Sequence, residues 1–253
     1  MKMLPPIVTL AFVLSPVFAW SDEPTSNSDE EGPVRVVIIG DSTVCEYPAE
    51  RPDRGWGQFI AEAFHNGSVE VSNLAKSGRS TKTFIAEGRW KKALAKNPHY
   101  VLIQFGHNDS HDADRPESTD SRTDYQENLR RYVDDARMIG ADPILVTPMV
   151  RRTFDAEGKI AETQLDMNKR LGSYAQAMRT VAKQKGVPLI DLYAASKELA
   201  EKLGPEASAR MSPKKGDRTH FNKEGARAMA VLVLEPLREA APGLEKHWKP
   251  SEN

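Results

Sequence analysis

Short, almost continuously apolar runs recur along the chain and predict buried strands. They cover residues 34–39, 69–71, 100–105, 143–147 and 187–191. Strands that are apolar throughout, rather than alternating with polar residues, are typical of sheets covered on both faces. The first and third runs are followed by Gly40 and Gly106, where the chain can turn sharply.

Stretches with helical spacing separate these runs. They predict helices over residues 56–64, 89–96, 125–139, 164–185 and 192–203. A last helix is expected to start at Lys223, with Asn222 as its N-cap, and to run towards Leu237. Alternating strands and helices predict an α/β fold with a parallel sheet between two helical layers. The stretches 111–122 and 149–162 are expected to be surface loops.

The N-terminal residues have the pattern of a secretory signal. Lys2 precedes an apolar run at residues 7–14, and small residues lead to Ala19. A membrane anchor is the alternative, but prolines interrupt the segment and it falls short of the roughly 20 apolar residues that span a bilayer. The predicted organisation is a signal peptide (1–19), a flexible acidic linker (20–33), one domain (34–243) and a C-terminal tail (244–253). We therefore expect a secreted or periplasmic protein with no stable membrane association after cleavage.

Charge and cysteine content narrow the class of partner. The 253 residues carry a formal net charge of −1, which gives no general attraction to nucleic acid. A local cluster of basic residues after the second strand could bind a polyanionic substrate, or could simply be a solvated helix face. It comprises Arg79, Lys82, Arg89, Lys91 and Lys92. Cys45 is the only cysteine, so no internal disulfide is possible.

Polar residues follow three of the predicted strands, and the carboxyl ends of parallel strands meet at one edge of a sheet. Ser42 comes directly after the first strand, in Gly40-Asp41-Ser42. A serine on such a turn can present its hydroxyl as a nucleophile, although an ordinary turn serine is the alternative interpretation.

A serine hydroxyl needs a general base to attack a carbonyl carbon. His220 lies just before the last predicted helix, and Asp217 lies three residues upstream. That spacing allows the carboxylate to orient the imidazole while the other ring nitrogen faces the serine. The developing oxyanion needs hydrogen-bond donors, and the candidates are the N–H groups of Ser42 and Gly78 and the side-chain amide of Asn108.

These blocks resemble those of the SGNH (GDSL-like) hydrolases. Gly40-Asp41-Ser42, Gly78, Asn108 and Asp217-x-x-His220 match that family's four blocks. The resemblance implies a flavodoxin-like, three-layer α/β/α fold with a five-stranded parallel sheet. It also implies acyl transfer to Ser42 and no cofactor or metal.

The rhamnogalacturonan acetylesterase branch of that family is the more similar one. The shared segments are 40–44, 55–57, 78–80, 87–89, 105–109 and 219–222. Thr43, in place of the leucine of the GDSL name, fits that branch. The same blocks contain the candidate substrate-binding residues Asp41, Arg79 and His107. The resemblance implies a secreted serine carbohydrate esterase that removes O-acetyl groups from a plant-type polysaccharide, with rhamnogalacturonan preferred and acetylated xylan as the alternative.

Two other classes of function remain open from the residues alone. A metal-dependent hydrolase could use the cluster His107, Asp109, His111, Asp112 and Asp114. A non-catalytic glycan-binding module could stack sugars on Trp56, Trp90 or Trp248. Cys45 is a further conceivable nucleophile, against its interpretation as a small buried hydrophobic residue.

Overall fold

The computed structural model describes Met1, residues 32–162 and residues 167–250. The predicted signal peptide after Met1 and the acidic linker as far as residue 31 lie outside the described residues. So do residues 163–166, which include the start of the fourth predicted helix, and residues 251–253.

Five parallel strands form one sheet. They are β1 (Val34–Gly40), β2 (Val69–Asn73), β3 (Tyr100–Gln104), β4 (Asp142–Val146) and β5 (Leu189–Ile190). The strand order is β2-β1-β3-β4-β5, the flavodoxin-like order, and Ile38 of β1 is in register with Leu102 of β3. The predicted α/β class and five-stranded parallel sheet are thus confirmed. In this order the loops after β1, β2 and β3 lie beside one another at the carboxyl edge.

Six α-helices are present among the described residues. They are α1 (Thr81–Ala86), α2 (Arg89–Leu94), α3 (Asp124–Met138), α4 (Met167–Lys185), α5 (Leu192–Arg210) and α6 (Lys223–Ala240). The predicted helix over 56–64 is a 3₁₀ helix, Trp56–Ala63, and a second 3₁₀ helix spans Pro242–His247. Asn222 caps α6 as predicted, because its side chain accepts a hydrogen bond of 3.0 Å from Gly225 N–H.

Two helices differ from the sequence prediction for local reasons. The short helix α1 was not predicted, since six residues are too few to show a helical period; Ser80 starts it by accepting a bond from Thr83 N–H. Helix α5 continues to Arg210, although Leu203 was the predicted end. Gly204 has φ 73° and ψ 174°, so the chain breaks there and resumes as helix from Pro205.

The side chains of each inner strand alternate between two hydrophobic layers. Val36 and Ile38 pack with α6 and the first 3₁₀ helix, whereas Val37 and Ile39 pack with α3 and α4. The three tryptophans considered as sugar platforms, Trp56, Trp90 and Trp248, are all buried. They contribute to the core, so none of them offers a ring face to a glycan.

The C-terminal residues are part of the packed domain rather than a free tail. Leu244 is fully buried, and the Trp248 ring lies 4.5 Å from that of Phe64, centroid to centroid. The predicted domain boundary at residue 243 is therefore too early, since packing continues as far as Trp248. Within the described part of the chain, no helix is both long and apolar enough to cross a membrane.

The two stretches expected to be surface loops are partly internal. Ser118 and Thr119 are buried in the first, and Arg151 and Arg152 are buried in the second. These buried polar groups are hydrogen-bonded, as buried polar groups generally are. Both loops lie close to the carboxyl edge of the sheet.

Candidate active site

The turn after β1 presents Ser42. A Cβ at Gly40 would lie 2.6 Å from the carbonyl oxygen of Gln104, so only glycine allows this approach of β1 to β3. The Asp41 carboxylate accepts bonds from the Thr43 N–H (2.9 Å) and hydroxyl (2.8 Å). The hydroxyl of Tyr47 donates to the Ser42 carbonyl at 2.8 Å. Hydrogen bonds therefore fix the backbone of Ser42, through its two neighbours in the chain and through its own carbonyl group.

Ser42, His220 and Asp217 form a hydrogen-bonded chain. The Oγ of Ser42 lies 3.0 Å from Nε2 of His220, and Nδ1 of His220 lies 3.0 Å from Oδ2 of Asp217. The other carboxylate oxygen accepts bonds from the backbone N–H groups of Thr219 (2.9 Å) and His220 (2.8 Å). The structure thus brings together the three residues that the sequence predicted as a triad.

Hydrogen bonding keeps Asp217 ionised. Burial by itself would raise the pKa of this carboxyl group, but the bonds from the His220 and Thr219 backbone and from the His220 ring outweigh it and lower the pKa below its usual range. An ionised carboxylate fixes the tautomer with hydrogen on Nδ1, so Nε2 is left to accept the serine proton.

Two arginines that sequence reasoning missed hold the loop between Asp217 and His220. Arg152 Nη2 donates to the carbonyl oxygens of His220 (2.7 Å) and Asp217 (3.4 Å), and the guanidinium lies over the Phe221 ring at 4.1 Å. Burial lowers the pKa of Arg152 to about 10, and it remains charged at neutral pH. Arg151 Nη1 donates to the hydroxyl of Thr219. The only sequence signal was a pair of arginines shortly after a strand.

The predicted oxyanion donors lie on three neighbouring loops. Gly78 has φ 79°, a left-handed conformation that favours glycine. Across residues 32–162 and 167–250, no acceptor pairs with the backbone N–H of Ser42 or of Gly78. One hydrogen of the Asn108 amide is used, in a bond of 3.0 Å from Nδ2 to the Arg79 carbonyl. The second hydrogen is available to a substrate oxygen.

Asp41 and His107 are buried close to Ser42 rather than exposed at the surface. They are 0% and 2% exposed, with 3.4 Å between His107 Nδ1 and Asp41 Oδ2. Burial, together with the charge of Arg151, lowers the pKa of His107, so the ring is neutral. Burial alone would raise the pKa of Asp41, but its contacts with His107 and Thr43 lower it. Both were predicted to bind substrate, but Asp41 Oδ2 and both ring nitrogens of His107 are buried in this structure.

Arg79, the third predicted substrate-binding residue, is partly exposed beside the oxyanion donors. Its Nε lies 3.0 Å from Glu87, and its Nη1 donates to the Ser77 carbonyl at 2.9 Å. The Arg79 side chain therefore stabilises the loop that contains it, while part of its guanidinium group is exposed to solvent.

The residues of the conceivable metal cluster do not converge. His111 pairs with Glu117 at 2.6 Å, and Asp112 pairs with Arg170 at 2.7 Å. No group of three or more His, Cys, Asp or Glu side chains in the described ranges could hold a metal ion. Cys45 is buried, and burial raises the pKa of its thiol, which disfavours the nucleophilic thiolate.

Comparison with known proteins agrees with this geometry. Residues 38–228 match the GDSL-like lipase/acylhydrolase family. Rhamnogalacturonan acetylesterase RhgT of Bacillus subtilis (strain 168) is 40% identical over 231 residues, covering 85% of this chain and 94% of the relative. The probable rhamnogalacturonan acetylesterase YesY of the same organism is 34% identical over 210 residues, covering 81% and 92%.

The solved structure of the acetylxylan esterase Axe2 from Geobacillus stearothermophilus has the same fold. It superimposes with a TM-score of 0.65 at 22% identity, covering 81% of this chain and 95% of Axe2. The sequence match extends over most of the domain and includes the strand ends that carry the site. The chain therefore belongs to the GDSL-like lipase/acylhydrolase family and is a serine esterase.

Proposed function

We propose that this protein is a secreted acetylesterase that removes O-acetyl groups from rhamnogalacturonan by a Ser-His-Asp acyl-enzyme mechanism. The hydrogen-bonded chain from Ser42 through His220 to Asp217, with 3.0 Å at each step, is the observation that carries the mechanism. It supplies a nucleophile, a base and an orienting acid, which are the parts that acyl transfer requires.

In the first half-reaction, Ser42 Oγ attacks the acetyl carbonyl carbon and His220 Nε2 takes the hydroxyl proton. The carbonyl oxygen becomes negatively charged and accepts bonds from the three donors. The C–O bond to the sugar then breaks, and the sugar oxygen leaves with the proton from His220. In the second half-reaction a water molecule, deprotonated by His220, attacks the acetyl-serine, and acetate leaves as Ser42 recovers its proton.

The substrate class rests on the relatives' names and on charge at the rim of the site. Both relatives named above are described as rhamnogalacturonan acetylesterases, one of them as probable. On this chain, Arg79 and Arg89 share a single acidic partner, Glu87, and Lys82 donates to a neutral carbonyl. These groups leave net positive charge close to Gly78. Positive charge at this position would attract the galacturonate carboxylates of the polymer.

Acetate release from acetylated rhamnogalacturonan, acetylated xylan and an aryl acetate tests the substrate. We expect the rhamnogalacturonan to be the faster polymer. With a xylan free of glucuronate side chains, raised salt should slow the rhamnogalacturonan reaction only, since neither that xylan nor the aryl acetate carries charge. A preference for xylan, or equal salt dependence for all three, would contradict the pectin assignment. Secretion rests on the pattern of residues 1–19, and N-terminal sequencing of exported protein tests it.

A further inference from the structure

The buried carboxylate of Asp109 has no role in the steps above. It follows the oxyanion donor Asn108 directly and is fully buried. None of the ion pairs within residues 32–162 and 167–250 includes it. A buried carboxylate without a cation costs stability, so its hydrogen bonds must compensate for its desolvation.

All the partners of this carboxylate are neutral donors, on Thr81 at the start of α1 and on Thr119 in its own loop. Oδ1 accepts bonds from the Thr81 hydroxyl (2.5 Å), the Thr81 N–H (3.0 Å) and the Thr119 hydroxyl (3.1 Å). Thr81 is itself fixed from α3, because Asn128 donates to its hydroxyl at 3.1 Å and Tyr132 donates to its carbonyl at 2.9 Å. Asp109 thus ties the loop after β3 to an anchored residue at the start of α1.

This contact lies next to another one that joins the same segments beside the oxyanion donors. Asn108 Nδ2 donates to the Arg79 carbonyl, and Asp109 accepts from Thr81, two residues further along. Gly78, the other loop's oxyanion donor, precedes Arg79 directly. The two contacts therefore determine how far apart the Gly78 N–H and the Asn108 amide lie, and the oxyanion must fit between those donors.

We propose that Asp109 is a positioning residue that sets the spacing of the oxyanion donors by fixing the loop of Asn108 to the loop of Gly78. The proposal rests on the acyl-transfer mechanism proposed above. Burial raises the pKa of this carboxyl to about 7 against the opposing bonds from Thr81 and Thr119, so the protein retains a group that is costly to ionise. Such retention fits a function in positioning better than one in stability.

Replacement of the carboxylate by an amide tests the proposal on an aryl acetate. Asp109→Asn keeps the shape, but its NH2 group takes the place of Oδ2, which accepts the Thr81 N–H at 3.2 Å, so two donors then face each other and the two loops are pushed apart. We expect kcat to fall roughly 10- to 100-fold with KM changed less than about threefold, because displacement weakens an interaction formed in the transition state. Asp191→Asn is the matched control. Its carboxylate accepts bonds from Thr147, Ala194 and Arg179, away from the site, and kcat should stay unchanged.

A double-mutant cycle separates positioning from general destabilisation. Once Asn108→Ala has removed one donor, Asp109→Asn should reduce kcat by a smaller factor than it does in the wild-type background. Equal factors in both backgrounds, with a lowered melting temperature, would overturn the proposal. So would an unchanged kcat in folded Asp109→Asn.

A milder pair of variants covers the case in which Asp109→Asn does not fold. Thr81→Val removes the hydroxyl donor and should lower kcat severalfold, whereas Thr81→Ser keeps it and should restore kcat; full kcat in Thr81→Val would also overturn the proposal. Ser42→Ala is measured in the same series. If Ser42→Ala keeps its activity, the mechanism itself fails, whereas an inactive Ser42→Ala beside a fully active Asp109→Asn removes only the positioning role.

Discussion

Substitution of Asn108 by alanine tells whether its side-chain amide has a catalytic role or only a structural role in the turn. The amide has two hydrogens, and the structure assigns one of them to the Arg79 carbonyl at 3.0 Å. The other is free to bond a developing oxyanion. Alanine removes both interactions, so the variant should show two separate effects of different size.

The catalytic effect should be the larger. Loss of one preorganised donor should lower kcat by roughly 10²–10³, or about 2.7–4 kcal/mol. KM should change little, because the bond strengthens mainly in the transition state. Loss of the Arg79 bond should lower the free energy of unfolding by only about 0.5–1.5 kcal/mol. For a domain of this size, that corresponds to a melting temperature lower by roughly 2–4 °C per kcal/mol.

Initial rates on an aryl acetate and a thermal melt, measured on the same preparation, test both effects. Asp191→Ala serves as the control, since it removes the N-cap of α5 and should cost about 1 kcal/mol of stability with no change in kcat. If Asn108→Ala melts lower but keeps its kcat, Asn108 is a structural residue and the oxyanion assignment is wrong.

Three further outcomes follow from the site. Ser42→Ala should abolish turnover and labelling by a serine-directed phosphonate, and a label retained on the variant would refute the nucleophile. His220→Ala should lose about as much kcat as Ser42→Ala, with Asp217→Asn less damaging; near-wild-type kcat in folded His220→Ala would exclude it as the base. The Asp109 carboxyl should make stability depend on pH. Because its pKa rises from 3.8 to about 7 on folding, the native state holds the proton more tightly, so its contribution to the free energy of unfolding should drop by about 3 kcal/mol between pH 4 and pH 7 and level off above pH 8. Denaturant melts of wild type and Asp109→Asn should differ by this slope, and parallel pH profiles would refute it.

The sequence predicted those site residues that are of a characteristic chemical type and lie directly beside a predicted strand or helix. Ser42 follows β1, Asn108 follows β3, and Asp217 and His220 precede the capped start of α6. Each of these positions is determined by local chain direction, and hydrophobic patterning is enough to place it.

The supporting contacts could not be predicted in this way. Arg152 and the Asp217 loop are 65 residues apart, and Asp109 and Thr81 are 28 residues apart. Their pairing depends on how loops fold over the edge of the sheet, and neither hydrophobic period nor turn chemistry encodes that. For the same reason, Asp41 and His107 were predicted to bind substrate although they are buried, since a polar residue after a strand has no sequence signal that says whether it is covered.

The contact between Ser42 and His220 joins residues 178 positions apart, from the first strand and the start of the last α-helix. Closing so long a loop is entropically costly and comes late when contacts are mostly non-local. Helices and sheet pairings can therefore form before the hydroxyl meets the imidazole. In a refolding experiment, ester hydrolysis should return after the far-ultraviolet circular dichroism signal, and the regained rate would count only those molecules in which the loop after β1 has met the loop before α6.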